Sequence, residues 1–204
     1  MTILKGNITM SIESVSTIFA SEGFAVKCFE TKEEAADYIV NSFNGETIGM
    51  GGSRTLNQLE IYDRLCENNT AWWHQEDPRS RRMFGDFTVY ITGANAISET
   101  GEIVNIDGTG NRIGSTFFGP RKVVFVVGKN KITPDLPSAM KRAQEIAGPP
   151  NAKRLGKKTP CSVTGKCHNC KSPDRICRGM SIHMRPMKAF EETEIIFINE
   201  DLGY

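Results

Sequence analysis

Five short apolar runs, FAVKCF, TIGMG, TVYIT, KVVFVVG and EIIFIN, limit what this chain can fold into more than any other feature of it. Several lack the strict apolar–polar alternation of a strand with one wet face, so the sheet they form must be covered on both sides. Helical segments lie between them. Two open the chain, and the second carries a capping box at Thr31 and Glu34 followed by Ala35, Ala36, Ile39, Val40 and Phe43 on one face. A further helix is expected from about Asp135 to Ala147, ending at Gly148-Pro149-Pro150, where glycine turns the chain and proline forbids continuation. Strands alternating with helices imply an α/β fold: a Rossmann-like, mostly parallel sheet with helices on both faces, its ligands beyond the carboxyl ends of the strands.

At 204 residues the chain reads as one domain, 1–204, large enough for a full hydrophobic core without covalent staples. Within it, residues 149–187 are rich in Pro, Gly, Lys and Cys and read as an irregular, basic, cysteine-containing appendage. The longest apolar run, around Val123 to Gly128, has the length of a strand and excludes membrane insertion by an apolar helix. The opening MTILKGNITMSIESVSTIF has no basic segment followed by a long apolar core and cleavage site, so a cytoplasmic location is expected. There, six cysteines argue for metal binding, catalysis or core packing before disulfides. A net charge of +1 hides an asymmetry: residues 153–188 hold ten Lys and Arg against one acid, Asp174, and the remainder carries −8. A uniformly basic nucleic-acid binder is excluded.

Two glycine-rich turns carry the first chemical signal. In TIGMGGSRTLNQL an apolar strand runs into Gly51-Gly52-Ser53 and then a helical pattern, the outline of an anion site: glycine lets backbone N–H groups approach a ligand, and Ser53 or Thr55 adds a hydroxyl. Neither the dinucleotide nor the P-loop fingerprint is met, since Arg54 stands where glycine is required and no Gly-Lys pair precedes the serine. The second turn region, ITGANAISETGEIVNIDGTGNRIGSTFFGP, adds Asn95, Asn111, Arg112 and Ser115 among Gly93, Gly101, Gly108, Gly110, Gly114 and Gly119. Such a stretch suits a loop around phosphate or carboxylate, or a plain double hairpin. Glu99, Glu102 and Asp107 lie in it as candidate nucleophiles or bases, or as solvated loop carboxylates. His74, beside Trp72 and Trp73, is a proton carrier or a hydrogen-bonded histidine among packed aromatics.

The strongest local signal is TPCSVTGKCHNCKSPDRICRG, where Cys161, Cys167, Cys170 and Cys177 stand in a C-x5-C-x2-C-x6-C pattern. Four thiolates so close suit tetrahedral zinc or an iron–sulfur cluster of the 4Fe-4S kind, and the surrounding Lys and Arg would offset the negative charge of either. The spacing matches neither paired zinc knuckles nor a bacterial ferredoxin run. His168 sits among these residues as an alternative ligand or an exposed side chain. Cys28 and Cys66 are isolated and read as core residues.

With these segments in order, the chain resembles the lactate-utilisation (LUD) domain family, through GGSRTL, NAISETGEIVNIDGTGNRIGSTFFGPRKVVFVVGKNKI, GPPNAKRL, the cysteine element and the terminal EDLGY. The resemblance implies the fold shared by sugar-phosphate isomerases and CoA transferases, and a role accompanying lactate oxidation. Carried over by position, Gly51, Gly52, Ser53, Thr55, Asn95, Gly108, Gly110, Asn111 and Arg112 would line the ligand site, with Arg112 pairing an anion. Larger family members bear ferredoxin-like cysteine runs, whereas this quartet is shorter and differently spaced.

Three functions follow as expectations. The first is an accessory redox protein of small-carboxylate metabolism that binds an anionic small molecule and a cluster and meets a redox protein partner. The second is a transferase or isomerase acting on a phosphorylated or CoA-linked substrate, with Glu99 as nucleophile or base and a structural zinc. The third, a nucleic-acid module using the basic tail, is the weakest, because only Phe190 offers an aromatic near that tail. A homodimer is the default assembly.

Overall fold

The computed structural model describes residues 11–77 and 86–204; the stretch read for an export signal lies, over residues 1–10, outside them. In chain order the elements are α1 (Ile12–Ser21), β1 (Ala25–Phe29), α2 (Lys32–Asn41), β2 (Thr47–Met50), α3 (Arg54–Leu59), α4 (Tyr62–Cys66), β3 (Thr70–Trp73) and β4 (Val89–Gly93). There follow β5 (Ala96–Ser98), β6 (Ile103–Asp107), α5 (Asn111–Gly114), β7 (Lys122–Gly128), a 3-10 turn (Lys129–Lys131) and β8 (Ile132–Thr133). The chain then forms α6 (Leu136–Arg142), a π-helical turn (Ala143–Ala147), α7 (Gly148–Arg154), α8 (Pro160–Thr164), β9 (Gly179–His183) and β10 (Glu192–Ile198).

All five apolar runs enter one six-stranded sheet of order β1-β10-β7-β4-β2-β3, with every pairing parallel. The period of two along a strand sends alternate residues to opposite faces. Met50, Ile91, Val124, Val126 and Ile196 pack with Ala35, Ile39, Leu56 and Leu65 of α2, α3 and α4. Tyr90, Val123, Phe125 and Phe197 point the other way, against Val15 and Phe19 of α1. Covered on both sides, the central strands β4, β7 and β10 are almost wholly buried, hence their apolar spelling, whereas the edge strand β1 leaves Lys27 and Cys28 exposed. The fold is the expected Rossmann-like α/β arrangement, and among the described residues no helix is long and apolar enough to cross a membrane.

The second apolar face is also covered by something the strand pattern did not announce. A smaller sheet, β8-β5-β6-β9, continues the chain beyond the carboxyl end of β4 and delivers Ile97 and Ile103 to the same cluster as α1. Its own outer face packs Ala96, Val104 and Ile106 against Ala139 and Ala143. The glycine-rich stretch is thus one antiparallel β5–β6 hairpin extended by β9.

Three expectations are corrected. The helix from Asp135 does not end at Gly148: the chain passes through the π turn and resumes as α7, with Gly148 itself helical at φ −63° and ψ −55°. The π turn breaks the ordinary ladder, so Pro149 and Pro150 fall in a fresh first turn, where their missing N–H groups cost nothing. Cys28 and Cys66 are exposed instead of buried. Cys28 lies on the edge strand β1, and in the last turn of α4 the core position belongs to Leu65, leaving its neighbour to solvent.

Candidate functional site

β2 leads through α3 and α4 to β3 at one edge of the sheet, whereas β4, its neighbour, leads through the smaller sheet to β7 on the opposite side. Loops leaving the carboxyl ends of β2 and β4 therefore part, and a crevice opens between them. A cavity of about 540 Å³ occupies that crevice, walled by Gly52 and Ser53 after β2, Gly93 and Asn95 after β4, and Asp107 and Gly108 after β6. The loops approach so closely that a Cβ on Gly93 would lie 2.5 Å from Ser53 Oγ. On the far side a Cβ on Gly108 would meet the Ile176 carbonyl oxygen at 2.8 Å, because the cysteine segment closes against this turn.

Of the residues expected at the site, Gly52, Ser53, Asn95, Gly108, Asn111 and Arg112 line the cavity. Gly51, Thr55 and Gly110 stand behind it. Gly51 is pinned by its N–H to Ile91 O (3.0 Å) and by Trp73 Nε1 donating to its carbonyl (3.2 Å). Gly110, with φ +90°, precedes the single turn of α5. Thr55 is buried and gives its hydroxyl to Leu202 O. Arg112 plays a different part from the anion partner expected of it. Its terminal nitrogens donate to Gly93 O (3.2 Å), Asn105 Oδ1 (2.6 Å), Asn95 Oδ1 (2.9 Å) and Ile106 O (2.7 Å). Those four N–H groups thus fasten the loops after β4 and β6 to each other, leaving no terminal fork for a ligand.

The candidate carboxylates separate. Asp107 lines the cavity, but its oxygens accept the backbone N–H groups of Thr109, Gly110, Arg112 and Ile113 at 2.9–3.2 Å, which makes it the clasp of the turn into α5. Burial raises its pKa, but the Arg112 charge and these amides outweigh it, so the carboxyl sits below its ordinary value. Glu102 accepts from Ser98 and Thr100 at the opposite end of the β5–β6 hairpin. Glu99 sits on that same far turn, with its N–H on Thr133 O, and is not among the lining residues. Four extended residues from Asn95 carry it roughly 13 Å along the strand. His74 is buried, lines the cavity and meets Asn111 Nδ2 through Nδ1 at 2.7 Å.

Sequence reading missed Lys131, which ends the 3-10 turn after the central strand β7. Its Nζ, buried in the cavity wall, donates to Thr55 Oγ1 at 2.6 Å. Burial, with the nearby charges of Arg142 and Arg112, brings its pKa from the ordinary 10.5 down to about 7. Its one signal was its place just beyond the carboxyl end of KVVFVVG. Also missed was the purpose of the basic tail. Arg154, Lys157, Arg175 and Arg178 line the cavity, joining Arg54, Arg112 and Lys131, while Asp107 and Asp174 are the lining acids.

The cysteine quartet does not converge. Among the described residues, no three His, Cys, Asp or Glu side chains are grouped as a metal ion requires. Cys161 Sγ instead pairs with Thr159 Oγ1 (3.3 Å), Cys167 Sγ accepts from Asn169 N (3.5 Å), and Cys177 Sγ accepts from Arg175 Nε (3.1 Å). Cys177 also packs against the apolar cluster under the smaller sheet. His168 is exposed and bonds Thr164 Oγ1.

The model of the LUD domain matches residues 12–198. The chain belongs to the LUD domain family. A solved structure of a DUF162 family protein from Deinococcus radiodurans shares this LUD chain's fold at a TM-score of 0.52, covering 91% of this chain and 94% of that one at 10% identity. A chain of the tetrameric eIF2B-beta2-delta2 complex from C. thermophilum is a weaker likeness: TM-score 0.37, 13% identity, and 56% and 48% of the two chains. No curated protein sequence matches the LUD chain.

Proposed function

We propose that this LUD-domain protein binds a small anionic metabolite, a carboxylate of the lactate and pyruvate class or a small phosphate, in the crevice beyond β2 and β4, and serves the metabolism of such acids. The observation that carries this reading is the charge of the cavity wall. Six basic side chains besides the buried Lys131 line it with two acids, and both acids are held by the protein's own N–H groups, Asp107 by its turn and Asp174 by Lys158 N. Such a surface favours anions by long-range attraction, and the partly sequestered crevice weakens screening by water. Open glycine backbone at Gly52 adds uncharged donors without side-chain bulk.

This reading needs no electron-transfer step through a cluster or a zinc ion. The tail's charge has a use without one, in the arginines it sets around the cavity. Calorimetric titration of the full chain with lactate, pyruvate and inorganic phosphate tests the reading. At least one should bind at low salt, and an Arg154→Ala/Arg178→Ala double variant should weaken it about tenfold or more, the scale of two charge-assisted contacts. Equal affinity in the variant, or no heat with any of the three anions, contradicts it.

A further inference from the structure

Lys131 is the buried titratable group at this site that the anion-binding reading leaves without a task. It sits beyond the carboxyl end of the central strand, in the wall of the cavity and not on its rim, with 3% of its surface exposed. Lysines almost never go this deep without an acid to pair with. Here, among the described residues, the partner is the neutral hydroxyl of Thr55, and the charges that act on the amine are the cations Arg142 and Arg112. The two acids of the cavity are engaged elsewhere. This placement disfavours the ammonium relative to the free amine, which is how proteins prepare a lysine to act as a nucleophile.

The neighbourhood also specifies what such an amine could meet. Arg154, Arg175 and Arg178 line the same cavity; some of their N–H groups brace Asn151 and the carbonyls of the cysteine segment, and their charge and remaining N–H groups face a carboxylate bound beside Lys131. A carbonyl carbon adjacent to a carboxylate is the electrophile that both features share. Resting on the anion-binding reading above, we propose that Lys131 Nζ reversibly captures the keto carbon of a small 2-oxo acid as an imine. The nitrogen lone pair adds to the carbonyl carbon, the amine gives up its two hydrogens, and these leave with the carbonyl oxygen as one water. No oxidant or reductant enters the step. Because Nζ is the donor in its contact with Thr55 Oγ1, that hydrogen bond orients the amine without using its lone pair. Once formed, the imine withdraws electrons from the adjoining carbon, which suits proton removal or carbon–carbon bond exchange there.

The test uses the full chain with pyruvate or with lactate, which has the same carboxylate but no carbonyl. Each is incubated with and without sodium cyanoborohydride and read by intact mass and peptide mapping, alongside calorimetry. The expected result is a single adduct with pyruvate and reductant only, its mass gain that of the 2-oxo acid less one oxygen atom, mapped to Lys131. It should be absent from Lys131→Met, whose circular dichroism shows whether it is folded; if it is not, the map of the unsubstituted chain decides. Both acids binding without a reduced adduct, or adducts scattered over surface lysines, overturns the imine and leaves the anion site standing. Neither acid binding and no adduct forming overturns the imine, and overturns the anion site too when inorganic phosphate also gives no heat.

Discussion

The Arg112 guanidinium shows how a residue can be correctly placed by sequence and wrongly employed. Its place among glycines suggested a ligand contact; its surroundings, Asn105 on β6 and Asn95 just before β5, turn it into a brace. Arg112→Lys keeps the charge but cannot reach four acceptors with one ammonium. It should therefore lose about 2 to 4 kcal/mol of stability in urea unfolding, the scale for breaking a buried charged network; an unchanged midpoint would contradict the assignment. Lys131 makes a prediction in pH. Its folded pKa, about 7, lies below the ordinary 10.5, so between those values the unfolded chain binds more protons and stability rises with pH. The contribution is complete above 10.5 and disappears as pH falls to about 7. Relative to Lys131→Met, the wild-type chain should gain on the order of 2 kcal/mol between pH 7 and 9. Parallel pH profiles for the two proteins would show that the amine is charged throughout. No local pattern marks such a lysine; only the packing of Thr55 and Gly203 around it does.

Among the elements, those with a strong one-dimensional period were legible. The capping box that opens α2 forms as spelled, with Glu34 N donating to Thr31 Oγ1 at 3.2 Å and the Glu34 carboxylate returning to Thr31 N. Thr31→Ala should cost about 1 kcal/mol by thermal or urea unfolding, and Thr31→Ser much less. The strands of the smaller sheet were not legible. β5 is three residues long, and β6 buries Asn105 amid apolar neighbours, so neither shows a period. The π turn likewise has no signature, and without it the Gly-Pro-Pro sequence reads as a stop. The meeting of the loops after β2 and β4 has its own test. Gly93→Ala drives a methyl against Ser53 Oγ and should destabilise by about 1 to 3 kcal/mol, the range for overpacking. Ser53→Ala in the same chain should return part of that loss, although it removes the N-cap that accepts Leu56 N at the start of α3. Strict additivity of the two changes would mean that the loops do not touch.

At the scale of the whole molecule, the sequence showed a charge asymmetry and a cysteine quartet in one segment and joined them: positive residues to balance a metal site. The fold separates them. The segment's backbone seals one side of the crevice at Gly108, its arginines line the cavity, and among the described residues no three of its ligand-type side chains gather as a metal ion requires. What sequence could not supply is that a tail distant along the chain from Gly51-Gly52-Ser53 forms the opposing wall of the same site. The LUD domain, on this account, is a parallel sheet whose parted loops hold an anion under a basic cover. Amide chemical shifts recorded during titration with lactate or pyruvate test this most directly. The resonances of Gly52, Ser53, Gly108 and Asn111 should move together and saturate at one ligand per chain, with the amino-terminal edge of the sheet unaffected. Shifts confined to other surfaces, or none at any concentration, would contradict it.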